Sequence, residues 1–134
     1  MGTAHENVRR GLLLDSLGRP ADLNAVDRLV RQHNPSGSST EVQSDTIEVI
    51  RSLVSEGLFR LGSMRGEREH SPERFVPWGH PLDRSIHKIT HVYVRHYDDP
   101  ARWMYSAWLQ LTDKGEELAK SIETTDLEGY RRRT

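Results

Sequence analysis

The 134-residue chain has no cysteine. That excludes a disulfide scaffold, a cysteine nucleophile and any thiolate zinc site. It fits a reducing compartment, and a cytoplasmic location is the expectation. Long apolar runs are also missing. Leu12-Leu13-Leu14 is the longest early one, far short of the roughly 20 residues that span a bilayer. No signal-peptide pattern surrounds it, so no membrane partner is expected. Neither sign of charge is in excess: 19 Lys and Arg stand against 20 Asp and Glu, for a net −1. Many nucleic-acid-binding domains are strongly basic, so any basic surface here must be a local patch. There is no internal repeat. A Gly-x-Ser-x-Gly elbow, a phosphate loop and a dinucleotide fingerprint are all absent. The expectation is therefore no enzyme and no cofactor. The acidic pair Asp98-Asp99 stands beside Pro100, where a turn accounts for it.

What is present fits one ordinary domain with its own core. Val8, Leu12, Leu13 and Leu17 recur at helical spacing, predicting a helix over 6–17 that Gly18 and Pro20 stop. Leu23, Val26, Leu29 and Val30 predict a second helix over 23–33. Asp22 is placed to cap it, and Asn34-Pro35 ends it. The third helix is the clearest. Thr40 and Gln43 have capping-box spacing, and Val42, Val49, Ile50, Leu53 and Val54 make a buried stripe with Ile47 beside it. Gly57 follows as a left-handed cap, and Leu58 to Leu61 alternates like a short strand.

The stretches 35–39 and 62–79 look irregular. Residues 81–97 admit two readings. Leu82, Ile86, Ile89, Tyr93 and Tyr97 fit one helical stripe behind Pro81. The β-branched and aromatic content of 90–97 fits a strand, with 98–102 turning a hairpin. The helix accounts for more positions. Trp103 to Leu111 reads as a strand with Trp103, Tyr105, Ala107, Leu109 and Leu111 on one face and Trp108 on the other. Thr112-Asp113-Lys114-Gly115 then opens a last helix through Ile122, with Leu118 and Ile122 turned inward. Residues 125–134, ending Arg131-Arg132-Arg133-Thr134, read as a basic, mobile tail.

Two stretches carry a resemblance. Thr46-Ile47-Glu48-Val49-Ile50-Arg51-Ser52-Leu53-Val54-Ser55-Glu56-Gly57-Leu58 resembles the end of a recognition helix, with its terminal Gly-Leu pair entering a wing. Trp108-Leu109-Gln110-Leu111-Thr112-Asp113-Lys114-Gly115 resembles a returning wing strand with its Leu-Thr-x-x-Gly junction into a helix. With the N-terminal helices, the chain over 6–62 and 103–122 resembles the winged helix-turn-helix superfamily, in the style of the bacterial MarR and PadR regulators. The implied fold is α+β, mainly α: one winged-helix domain over 1–124, with a long insertion at 63–102 between the wing strands.

The resemblance implies a DNA-binding transcriptional regulator, working as a homodimer, with its third helix in the major groove of double-stranded DNA. The residues it points to are Ser39, Thr40, Gln43, Ser44 and Arg51 on that helix, with Arg60 and Arg65 beyond it. Gln43 would read adenine, Arg51 guanine or phosphate, and the helix start would hold a phosphate. Glu48 also points outward, and Asp45 lies nearby. Glu41, Asp45, Glu48 and Glu56 face only Arg51 as a base along this segment, and phosphates would repel them. The alternative is therefore a winged-helix module that binds another protein through an acidic third helix.

The basic clusters Arg9-Arg10 and Arg60, Arg65, Arg68 and Arg74, the latter with interleaved glutamates, also read as solvated faces. Asp83, His87 and His91 fall at successive fours and are the residues that would carry a transition metal. Nothing supplies a fourth ligand, and an exposed polar helix face accounts for them, so no metal is expected. The aromatics Trp78, Tyr93, Tyr97, Trp103, Tyr105 and Trp108 read as core or dimer contact rather than a ligand pocket.

Overall fold

The computed structural model describes residues 3–66 and 73–133. The architecture is α+β. Its elements are α1 (Thr3–Asp15), β1 (Ala21–Asp22), α2 (Leu23–His33), α3 (Ser39–Ser55), β2 (Phe59–Arg65), β3 (Arg74–Pro77), α4 (Leu82–Tyr93), α5 (Pro100–Trp103), β4 (Trp108–Leu111) and α6 (Asp113–Arg133). The four strands form one antiparallel sheet in the order β1-β4-β2-β3. Helices α1 to α4 pack their apolar sides into one core with Phe59, Leu61 and Leu109 from the sheet. No helix among the described residues is long and apolar enough to cross a membrane.

Local chemistry sets the helix ends. The Asp22 carboxylate accepts from the Ala25 N–H at 2.8 Å, starting α2 where the sequence places it. At α3 the capping residue is Ser38, whose hydroxyl accepts from the Glu41 N–H at 3.1 Å. The Thr40–Gln43 spacing is thus corrected by two residues, because Ser38 and Glu41 offer the same pattern one half-turn earlier. Gly57 leaves α3 at φ +76, a conformation that a Cβ disfavours.

The Leu-Thr-x-x-Gly junction has a physical basis. Thr112 Oγ1 donates to Gly57 O at 2.6 Å and accepts from the Gly115 N–H at 3.0 Å, capping α6 against the end of α3. A Cβ at Gly115 would sit 2.0 Å from Leu58 O, so only glycine permits this crossing.

Further expectations are corrected. The stretch 62–79 is not irregular throughout: β2 continues to Arg65 and pairs with β3, from Gly62 opposite Pro77 to Arg65 opposite Arg74. A Cβ at Gly62 would meet Val76 O at 2.3 Å, so this glycine serves close strand approach rather than a loop. Arg68 and its neighbours at 67–72 lie outside the described residues. The strand expected from Trp103 is confined to Trp108–Leu111. Pro100 instead starts the short α5, and Trp103 ends it buried. Tyr105, expected to share one face with Ala107 and Leu109, is 62% exposed while those two are buried. In α6 the inward residues are Gly115, Ala119 and half-buried Ile122, while Leu118 is exposed. The helix also runs on to Arg133 rather than ending near Ile122.

The 81–97 ambiguity resolves as helix over Leu82–Tyr93, with Ser85, Ile86, Ile89 and Tyr93 buried. Tyr93 is the pivot. Its phenol donates to Asp27 Oδ2 at 2.5 Å, and Arg31 Nε donates to the other carboxylate oxygen at 2.6 Å. Thr46 Oγ1 lies 3.2 Å from the phenol oxygen. With the phenol proton committed to Asp27, the threonine is the donor there. A nearly fully buried carboxylate thus joins α2 to α4, and to α3 through the phenol, with its oxygens satisfied, as burial of a charge requires. Tyr93 also packs edge-on against Tyr97 and Trp103, which stack on each other at 5.5 Å.

Candidate nucleic-acid interface

The outer side of α3 is a continuous exposed line. Thr40, Ser44, Glu48, Arg51 and Ser55 follow at steps of four, four, three and four, and all are exposed. The opposite side, Val42, Thr46, Val49, Ile50 and Leu53, is buried. Of the residues expected to meet DNA, Thr40, Ser44 and Arg51 share the outer line. Ser39 is exposed in the first turn but lies off that line. Gln43 is half-buried on the flank shared with Ile47 and Val54, so it is not aligned with the outer residues.

The two arginines beyond α3 are separated by strand geometry. Successive side chains on a strand point to opposite faces. Phe59 and Leu61 of β2 point into the core, so Ser63 and Arg65 share their side and Arg60 faces away. Arg60 donates to Gln110 at 2.6 Å and lies 5.9 Å from the Phe75 ring centre. It lines a shallow hollow with Arg19 and Glu116 on the far side of the sheet. Arg65 sits exposed on the helix side, directly across from Arg74.

Helix α4 packs beside α3. Its Asp83 accepts from Arg51 Nη1 at 2.8 Å. Its Lys88 ammonium lies 4.1 Å from the ring centre of Trp78, whose indole N–H donates to Ser63 of β2 at 2.8 Å. The outward side of α4 carries Arg84, Lys88 and His91 in line, with Arg95 just past the helix end and His87 on the flank. All five are exposed, and Asp83 is the lone acid on that stretch. Sequence reasoning did not single out Arg84 and Lys88 for this surface. Their spacing opposite Ile86, Ile89 and Tyr93 is the signal that could have found them, once α4 is known to lie beside α3.

The acids of α3 and its C-cap are not all equivalent. Glu56 receives two hydrogen bonds from Arg9, at 2.5 and 3.0 Å. Those bonds hold its carboxyl below the usual range, against the opposing effect of partial burial. Lys114 also donates to Glu56 O at 2.9 Å. Asp45 faces His5 at 3.5 Å. Glu41 and Glu48 have no ion-pair partner among the described residues.

The set Asp83, His87 and His91 is not assembled. Asp83 is drawn to Arg51, and His87 and His91 line a shallow hollow with His80, Arg84 and Lys88. Among the described residues, the grouping with ligand atoms in reach of one another is His5, Asp45 and Glu48. Of the aromatics, Tyr93, Tyr97 and Trp103 are internal packing, whereas Tyr105 stacks on Trp108 at the surface. Comparison of the chain with protein families, curated proteins and solved structures finds no match.

Proposed function

We propose that this chain is a DNA-binding transcriptional regulator of the winged-helix kind, acting as a homodimer. The observation that carries the reading is the uninterrupted exposed line on α3, flanked by the cationic side of α4. The winged-helix reading is further supported by a short turn joining α2 to α3 and by β4 returning beside β2. Thr40 and Ser44 enter the major groove with the first turns of α3. Arg51 exchanges Asp83 for a guanine edge or a phosphate. Arg84, Lys88 and Arg65 contact the backbone, supplying the positive charge that α3 lacks. Arg60 takes no part, because it faces the other side of the sheet.

Fluorescence anisotropy with genomic duplex fragments tests this. With about four phosphate contacts, affinity falls on the order of a hundredfold between 50 and 200 mM salt. Arg84→Ala and Lys88→Ala each lower the salt slope by about one. Arg60→Ala leaves binding unchanged. Absence of binding at low salt, or equal loss from Arg60→Ala, refutes the assignment. Sedimentation equilibrium checks the dimer, for which α6 offers exposed Leu118 and Leu127.

A second reading, a protein-binding module, is favoured by one observation: Glu41 and Glu48 stand exposed on α3 while Arg51 is occupied by Asp83. Glu48→Lys separates the two. It strengthens binding to DNA, whereas it weakens a complex with a basic protein partner recovered by affinity capture.

A further inference from the structure

We propose that His5, Asp45 and Glu48 form a binding site for a divalent transition-metal ion, zinc foremost, at the seam between α1 and α3. One nitrogen and two carboxylate oxygens, one from each residue, lie within 4.8 Å of one another. Helical spacing alone does not produce this grouping. Asp45 and Glu48 share a face of α3, but His5 comes from the first turns of α1, 40 residues earlier than Asp45 in the chain. An imidazole with two carboxylates is a hard-to-borderline donor set that suits Zn²⁺, and three protein ligands leave a position for water. Modest side-chain rotation brings such atoms to the roughly 2.0–2.2 Å that zinc requires.

The charges around the site are also unresolved without a cation. Asp45 and Glu48 are like charges three apart on a helix, an unfavourable pair. The nearest arginine on α1, Arg9, is engaged by Ser52 at 2.6 Å and by Glu56. His5 approaches Asp45 Oδ1 only to 3.5 Å, longer than a good hydrogen bond. Glu48 has no hydrogen-bond or ion-pair partner among the described residues. A bound ion would neutralise the carboxylates and pin the start of α1 to the middle of α3. Because Glu48 belongs to the exposed line, it would also reduce the negative charge of the face proposed to meet DNA, although the site itself does not depend on that proposal.

Isothermal titration of the untagged full chain with Zn²⁺ at neutral pH tests the site. The expected result is one equivalent bound and a higher Tm, since a ligand specific for the folded state stabilises it. His5→Ala and Glu48→Gln each weaken binding by about tenfold or more, or at least 1.4 kcal/mol. The double variant His87→Ala/His91→Ala binds as the parent does. These substitutions fall on exposed or half-exposed positions, and circular dichroism verifies that each variant is folded. No zinc binding overturns the proposal. So does binding that survives both His5→Ala and Glu48→Gln, or binding lost with the histidines of α4.

Discussion

Two seams flank α3, and they are built from different chemistry. Toward α4 the inner seam is dry, beneath the exposed Arg51–Asp83 pair at its rim: Tyr93 is fully buried and hydrogen-bonded to Asp27 and Thr46, with Tyr97 and Trp103 packed around it. Toward α1 the upper seam is wet: Arg9 reaches Ser52 and Glu56, and His5 faces Asp45, with side chains a quarter to a half exposed. Burial makes a polar contact expensive to break, because the orphaned partner cannot turn to water. Exposure makes it cheap, because solvent and salt replace it. The fold thus fixes the angle between α3 and α4 firmly, while surface contacts at the start of α1 are left adjustable. That arrangement suits the contact surface proposed on α3 and α4.

The largest expected effect removes the dry seam. Tyr93→Ala costs about 3–5 kcal/mol in denaturant unfolding, as for other buried aromatics; a loss no larger than that of a surface substitution would erase the distinction. Next come the polar deletions. Tyr93→Phe keeps the ring but leaves Asp27 short of a donor, costing about 1–3 kcal/mol. This variant also has a pH signature. Burial, aided by the Asp27 hydrogen bond, raises the Tyr93 phenol well above its usual 10. Burial likewise pushes Tyr97 up to about 12. A raised folded value means the stabilisation is intact below pH 10 and declines as the pH rises above it, where the unfolded chain ionises first. Urea midpoints between pH 9 and 11 should therefore fall more steeply for the parent than for Tyr93→Phe. The smallest effect is on the wet seam. Arg9→Ala costs about 0.5 kcal/mol at neutral pH, the ordinary worth of an exposed pair. Because the Glu56 carboxyl is held below its usual 4.5, that contribution is present above this pH and lost as acid protonates it. Parent and Arg9→Ala should then converge in stability at low pH.

Elements with one local capping pattern are legible in the sequence, whereas those with competing local patterns or set by distant contacts are not. Asp22 and the stripe of α2 define that helix without reference to the rest of the chain. The start of α3 was displaced because Ser38–Glu41 and Thr40–Gln43 have the same spacing, and only the backbone distinguishes them. The alternation from Trp103 to Leu111 imitates a strand, but Trp103 is held by its indole N–H donating to Tyr97 O at 3.1 Å. The hairpin β2–β3 was hidden because Gly62 resembles a loop residue until Val76 is brought against it.

The same division applies to the candidate interface. The outer line of α3 follows from helical period, and Thr40, Ser44 and Arg51 can be read from it. That Arg65 joins this side while Arg60 does not depends on β2 extending past Leu61. The partnership of Arg51 with Asp83, and of Lys88 with Trp78, depends on the position of α4. The grouping of His5 with Asp45 and Glu48 likewise spans elements that no local pattern connects.

The most direct test is backbone amide chemical-shift mapping of the labelled chain as a duplex fragment that binds it is added at low salt. The account predicts that shifts concentrate at Thr40, Ser44, Glu48 and Arg51 of α3 and at Arg84 and Lys88 of α4, with Arg60 and Gln110 unmoved. Shifts concentrated on the Arg60 side of the sheet, with the outer line of α3 silent, would contradict it.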